Sequence, residues 1–182
     1  MSVKTFTTET LTSADTNTYL ANSGLVYVTS ATIGSGVSSV TVSSAFNSTY
    51  DDYKIIISGG ATSSTQNNLT LKLGSSTSTY YGSFIYAAFA TGAVLGAGIN
   101  NAANFTFVGG VDVNSVYCNI ELQCPFLAKY TNIQALTVGY STIRGSATGE
   151  HETATSYSAF TLAPASGTLT GGTITVYGYR KA

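Results

Sequence analysis

The single histidine, His151, stands between Glu150 and Glu152 in the segment GSATGEHETAT. An imidazole flanked by carboxylates has the makings of a general base or a metal site. A zinc site needs several N or S ligands drawn together, however, and none cluster here. The small polar residues around it read as a solvated loop that holds His151 in water. Asp51 and Asp52, between Tyr50 and Tyr53, are the second candidate. Two carboxylates hydrolyse a glycosidic bond by flanking it, yet neighbours on an extended chain point to opposite faces. FNSTYDDY therefore reads as a connection whose acids are satisfied in a turn.

Cys118 and Cys124 lie in SVYCNIELQC, where Val116, Cys118, Ile120, Leu122 and Cys124 share one parity. Tyr117, Asn119, Glu121 and Gln123 take the other, the pattern of a strand with one buried face. Six residues of strand span about 20 Å, beyond the ~7 Å reach of a disulfide. Two free thiols facing the core are expected. Gly92, Gly96 and Gly98 in GAVLGAG lack the preceding strand, the spacing and the following helix of a dinucleotide site. There is no nucleophile elbow and no phosphate-binding loop. Asn47-Ser48-Thr49, Asn68-Leu69-Thr70 and Asn104-Phe105-Thr106 match the glycosylation acceptor, a pattern that chance supplies in so Asn/Ser/Thr-rich a chain. Tyr80, Tyr81 and Tyr86 suit a sugar-binding surface or, as we read them, core and subunit packing. No catalytic residue, cofactor or metal is assigned, and no enzyme is expected.

Composition narrows the classes further. Charged residues are 8% of the 182, against about 25% in ordinary soluble domains. Either the body is a polar β-protein wetted by hydroxyls, or copies of itself cover much of its surface, since interface cores are depleted in charge. The net charge is −1, which gives no electrostatic footprint for nucleic acid. No apolar run approaches the ~20 residues of a membrane span. MSVKTFTTE lacks the apolar core of a secretory signal. Synthesis in a cytoplasm is expected, with export only as part of a particle. At this length about 70% of the unfolded surface can be buried, so one domain needs no staples.

The elements follow from periodicity. Thr12-Ser13-Ala14-Asp15 caps a short helix that ends at Gly24, within an arm (1–24) too small to fold alone. The body (25–182) begins with strands at Leu25–Thr32 and Val37–Val42. Phe46–Tyr53 connects to Lys54–Ser58, apolar on both faces. Further strands are read at Leu69–Leu73, Tyr80–Phe89, Asn104–Val108, Ser115–Cys124 and Gln134–Ile143. Ala61–Asn68, Thr91–Ala103 and Gly145–Ser156 read as loops. In SYSAFTLAPASGTLTGGTITVYGYRKA, Phe160 and Leu162 share a face, Pro164–Gly167 turns, and Ile174 and Val176 face in. These two strands read as a closing pair. About ten short strands predict an all-β, antiparallel, jelly-roll-like sandwich.

FTLAPASGTLTGGTITVYGYRKA resembles the closing hairpin of small β-rich virion proteins of tailed bacteriophages. FTTETLTSADTNTYLANSGLVYV is similar to the opening segment of phage tail and fibre proteins. The resemblance covers about a third of the chain, at its two ends. It implies a non-enzymatic virion structural protein, assembled in the host cytoplasm, in a tail fibre or tail tip that contacts the host surface. A capsid decoration protein is the alternative, and a free sugar-binding module a third. The expected partners are itself, as a homo-oligomer and specifically a trimer, other virion proteins, and a host cell-surface glycan or protein. Nucleic acid and membrane insertion are not expected. Val3, Phe6, Tyr177 and Tyr179 are the expected oligomer interface; Leu95, Ile99, Asn100 and Asn101 are the expected recognition loop.

Overall fold

The structure, a computed structural model, describes residues 24–181. It is all-β. Fourteen strands follow one another: β1 (Leu25–Thr32), β2 (Val40–Val42), β3 (Tyr50–Ser58), β4 (Ala61–Thr62), β5 (Asn67–Leu73), β6 (Tyr80–Ala88), β7 (Val94–Ala102), β8 (Phe105–Asp112), β9 (Ser115–Gln123), β10 (Thr131–Tyr140), β11 (Ile143–His151), β12 (Phe160–Pro164), β13 (Leu169–Thr170) and β14 (Thr173–Arg180). Every pairing between these strands is antiparallel. Among the described residues there is no helix.

Twelve of the strands form two layers that share β9, while β4 and β13 pair with each other as a separate two-stranded sheet. Its first half, Ser115–Cys118, pairs with β8, and its second half pairs with β3 and β10. One layer runs β1-β14-β3-β9-β10-β11-β6-β7, and the other β2-β12-β5-β8-β9. The period-two alternation decides what lies between them. Ile55, Ile57, Leu69, Leu71, Leu73, Ile120, Leu122, Phe160, Leu162, Ile174 and Val176 all join one continuous core. Each such side chain stabilises the fold by about 1.5–3 kcal/mol on burial. Aromatic rings span the layers: Tyr80 meets Phe105 edge-on at 4.8 Å, and Phe84 stacks on Phe107 at 5.2 Å.

Several sequence expectations are corrected. The C-terminal strands are not a hairpin, since β12 pairs with β2 and β5 while β14 pairs with β1 and β3. The cause is side-chain complementarity across long separations. Phe160 and Leu162 lie opposite Leu73 and Leu71, whereas Ile174 and Val176 lie opposite Ile57 and Ile55. Gly167, Gly171 and Gly172, at φ of 79°, 71° and 92°, let the chain turn between the layers. β3 begins at Tyr50, inside the expected connection, and buries one face only; Ile56 is half-buried on the other. The span read as one strand over Gln134–Ile143 is divided between β10 and β11. The three expected loops are largely strand: Ala61–Asn68 holds β4 and the start of β5, Thr91–Ala103 holds β7, and Gly145–Ser156 holds most of β11.

Cys118 and Cys124 are both free. Cys118 is in the core, where burial pushes its thiol up to about 12. Cys124 is only half-buried, because its φ of 59° breaks the alternation just past the end of β9. Val3, Phe6 and the arm's helix lie outside the described residues.

Candidate binding face

The eight-stranded layer turns one face to the core and one outward. On the outer face a single row crosses every strand. Tyr27 lies opposite Tyr177, then Lys54, Glu121, Gln134, Thr148, Ser83 and Gly98 follow in register. One pleat away a second row runs Asp52, Gln123, Asn132, Glu150, Tyr81. Residues two apart on a strand share a face, so the rows are neighbours.

Glu121 is the electrostatic centre of this face. Its Oε1 pairs with Lys54 Nζ at 2.5 Å, and its Oε2 accepts the Tyr179 hydroxyl proton at 2.5 Å. That hydrogen bond, with some burial added, pushes the Tyr179 phenol up to about 12. Both carboxylate oxygens are engaged, so Glu121 acts as an anchor for Lys54 and Tyr179 rather than as a base. Beside it lies a depression of about 290 Å³ lined by Asp52, Glu121, Leu122, Gln123, Gln134 and Tyr179. Across Asn132 a shallower one of about 340 Å³ is bounded by Tyr81, Ser83, Thr148 and Glu150. Amides, hydroxyls, carboxylates and tyrosine rings on a rigid sheet can hydrogen-bond and stack against a polar, hydroxyl-rich surface.

The expected interface residues Tyr177 and Tyr179 are both on this face. Tyr177 is half-buried with its ring edge-on to Tyr27 at 6.4 Å. The expected recognition residues are on β7, at the far edge of the same layer. Leu95 is 48% exposed, Asn100 is exposed, and Ile99 is half-buried against the core. Asn101, one residue before the end of β7, has a φ of 51°, its Oδ1 accepting the Thr79 N–H at 2.9 Å. Of the three tyrosines weighed for sugar binding, Tyr80 is in the core, Tyr86 stacks on Phe84, and Tyr81 alone joins the outer rows.

His151 is not solvated. It ends β11 fully buried, opposite Tyr80 in β6, and stacks on that ring at 4.1 Å. Its Nε2 lies 2.8 Å from the Tyr157 hydroxyl and its Nδ1 3.3 Å from Thr79 Oγ1. Burial holds its pKa below the usual histidine value. Asp51 and Asp52 are in β3 rather than in a turn. Asp51 pairs with Lys181 at 2.8 Å, and Asp52 accepts the Cys124 N–H at 3.3 Å. Among the described residues no three of His, Cys, Asp or Glu gather to hold a metal ion.

Sequence reasoning missed Gln123, Asn132, Gln134, Thr148 and Tyr81 as one surface. The polar parity of β9 was a usable signal for Glu121 and Gln123. The others meet them only through strand pairings between distant parts of the chain. No protein-family model matches the chain, and no curated protein and no solved structure matches it.

Proposed function

We propose that the chain is a non-enzymatic structural protein of a tailed-phage particle, a tail-fibre or tail-tip component. Its β-body is a jelly roll, acts within a homo-oligomer, and contacts the host surface through the outer face of the long layer. Strand order is the observation that carries this reading. β1-β14-β3-β9 packs against β2-β12-β5-β8, the interleaving that two successive Greek keys produce. That architecture is shared by viral capsid and lectin domains. The hairpins β6–β7 and β10–β11 are then insertions that lengthen one sheet beyond β9. They supply Asn132, Gln134, Thr148, Glu150 and Tyr81, half of the candidate face. The resemblance of the two chain ends to phage virion proteins supports the same reading.

Recognition thus moves from loops to a sheet face. Replacing Tyr81 and Asn132 together by Ala should leave the melting temperature unchanged, since both side chains are on the outer face. Binding of the labelled protein to intact host cells should fall at least about tenfold, the scale of losing an interface anchor. Thr41→Ala, on the opposite layer, is the control. Undiminished binding by the double variant would show that this face does not contact the host.

A further inference from the structure

We propose that β7 is the meeting strand of a two-fold dimer, paired antiparallel with β7 of a second copy and with Ala97 facing Ala97. The inference deepens the self-association in the proposed function and gives it a two-fold axis in place of the expected trimer.

Among the described residues β7 is an edge: it pairs with β6 alone. Monomeric β-proteins blunt such edges with Lys, Pro, bulges or short strands. The other edges here are treated in that way, β2 with three residues and β1 with a bulge between Tyr27 and Thr29. β7, VLGAGINNA, is nine residues long and has no charge and no proline. Its register against β6 is regular from Val94 to Ile99, the irregularity lying beyond.

The hydrogen-bonding groups point the right way. Ala88 N donates to Ala93 O at 3.0 Å, so alternation turns the backbone groups of Leu95, Ala97 and Ile99 toward β6. Those of Val94, Gly96 and Gly98 are left facing outward. With Ala97 on the two-fold axis, Gly96 of each copy exchanges both backbone bonds with Gly98 of the other. Leu95 then sits opposite Ile99 of the second copy in the close, non-hydrogen-bonded pairing. A two-fold interface must be self-complementary, and the sequence Leu-x-Ala-x-Ile reads as apolar in both directions from Ala97.

Burial agrees. Ile99 and Ala102 pack against the core but Leu95 does not, and it is 48% exposed on the side that is core elsewhere. Val94, Ile85 and Phe89 add exposures of 72%, 61% and 59% around the same hairpin. A Cβ on Gly96 or Gly98 would meet nothing nearer than 3.6 Å, and neither has a positive φ. Nothing among the described residues requires glycine there, whereas close approach of another backbone favours it. A second copy also adds no charge opposite an uncharged strand. Nine residues per copy fall short of the roughly 20–30 of a standard interface, so the free dimer is weak, with a Kd on the order of a hundred micromolar.

Ala97→Cys in a Cys124→Ser background tests the axis. Mild oxidation should give a disulfide-linked dimer, because this thiol faces its own copy. Leu95→Cys in the same background should give almost none, since it faces Ile99. Light scattering at several hundred micromolar should show the parent as a dimer. Leu95→Lys and Gly98→Pro, which leave the pairing with β6 intact, should be monomers of unchanged circular dichroism. A parent that stays monomeric at that concentration would overturn both this pairing and the self-association it rests on. An oligomer that survives Leu95→Lys without an Ala97→Cys cross-link would overturn the β7 pairing and leave self-association standing.

Discussion

Gly110→Ala will cost about 3–5 kcal/mol and lower the melting temperature by roughly 10 °C or more. Gly110 sits in β8 opposite Tyr117, where β8 passes the irregular stretch of β10. A Cβ there would lie 1.5 Å from Gly139 O and 2.4 Å from the Tyr117 hydroxyl. The Tyr117 hydroxyl already donates to Gly139 O, so the space is closed by a bonded pair. Gly139, at φ 121°, cannot easily move aside, because its own Cβ position is 2.4 Å from Ile143 O. Relief requires shifting backbone in both layers. Gly98→Ala on the β7 edge, with its nearest neighbour at 3.6 Å, is the matched control and should be near neutral. Thermal melts followed by circular dichroism decide it; a Gly110→Ala loss no larger than the control's would mean that the layers do not cross there.

The fold should also be squeezed by pH from both sides. His151 is buried on Tyr80 and its folded pKa is lowered from 6.5 by burial. The unfolded chain therefore takes a proton near pH 6.5 that the folded chain resists, and stability falls as pH drops below that value. The alkaline limb has the opposite sign. Burial pushes Cys118 from 9.0 and Tyr80 from 10.0, each up to about 12. Above about pH 9 the unfolded chain gives up protons that the folded chain keeps, and stability falls again. His151→Phe keeps the stacking on Tyr80 but removes the titrating ring and the bond to Tyr157. It should be less stable at neutral pH and lose less on acidification to about pH 5 than the parent does. An equal acid loss in the two proteins would assign the acid limb to the carboxylates instead.

What the sequence made legible was the inward parity of single strands. Leu69, Leu71 and Leu73, then Val116, Cys118, Ile120 and Leu122, and the pair Ile174 and Val176 all face the core as their alternation predicts. Period two is a local property, and burial on one face writes it directly into the chain. What stayed hidden depends on which strand lies beside which. β12 and β14 are neighbours in sequence and strangers in space, because their hydrophobic partners lie on β5 and β3. β7 reads as a loop, since Gly, Ala and Asn have poor strand propensity, and pairing with β6 overrides it. His151 sits among polar residues that predict water. Only the register of β11 on β6 places it over Tyr80. The candidate face is the extreme case, two rows assembled from eight strands with no motif in common.

The proposed function puts this chain in a virion, at its tail. Quantitative mass spectrometry of purified particles, scaled to the major capsid protein, tests it most directly. The chain should be present in intact particles at a small fraction of the shell protein, in tail copy number, and missing from tailless heads. Shell-like copy number in tailless heads, or absence from particles altogether, would contradict it.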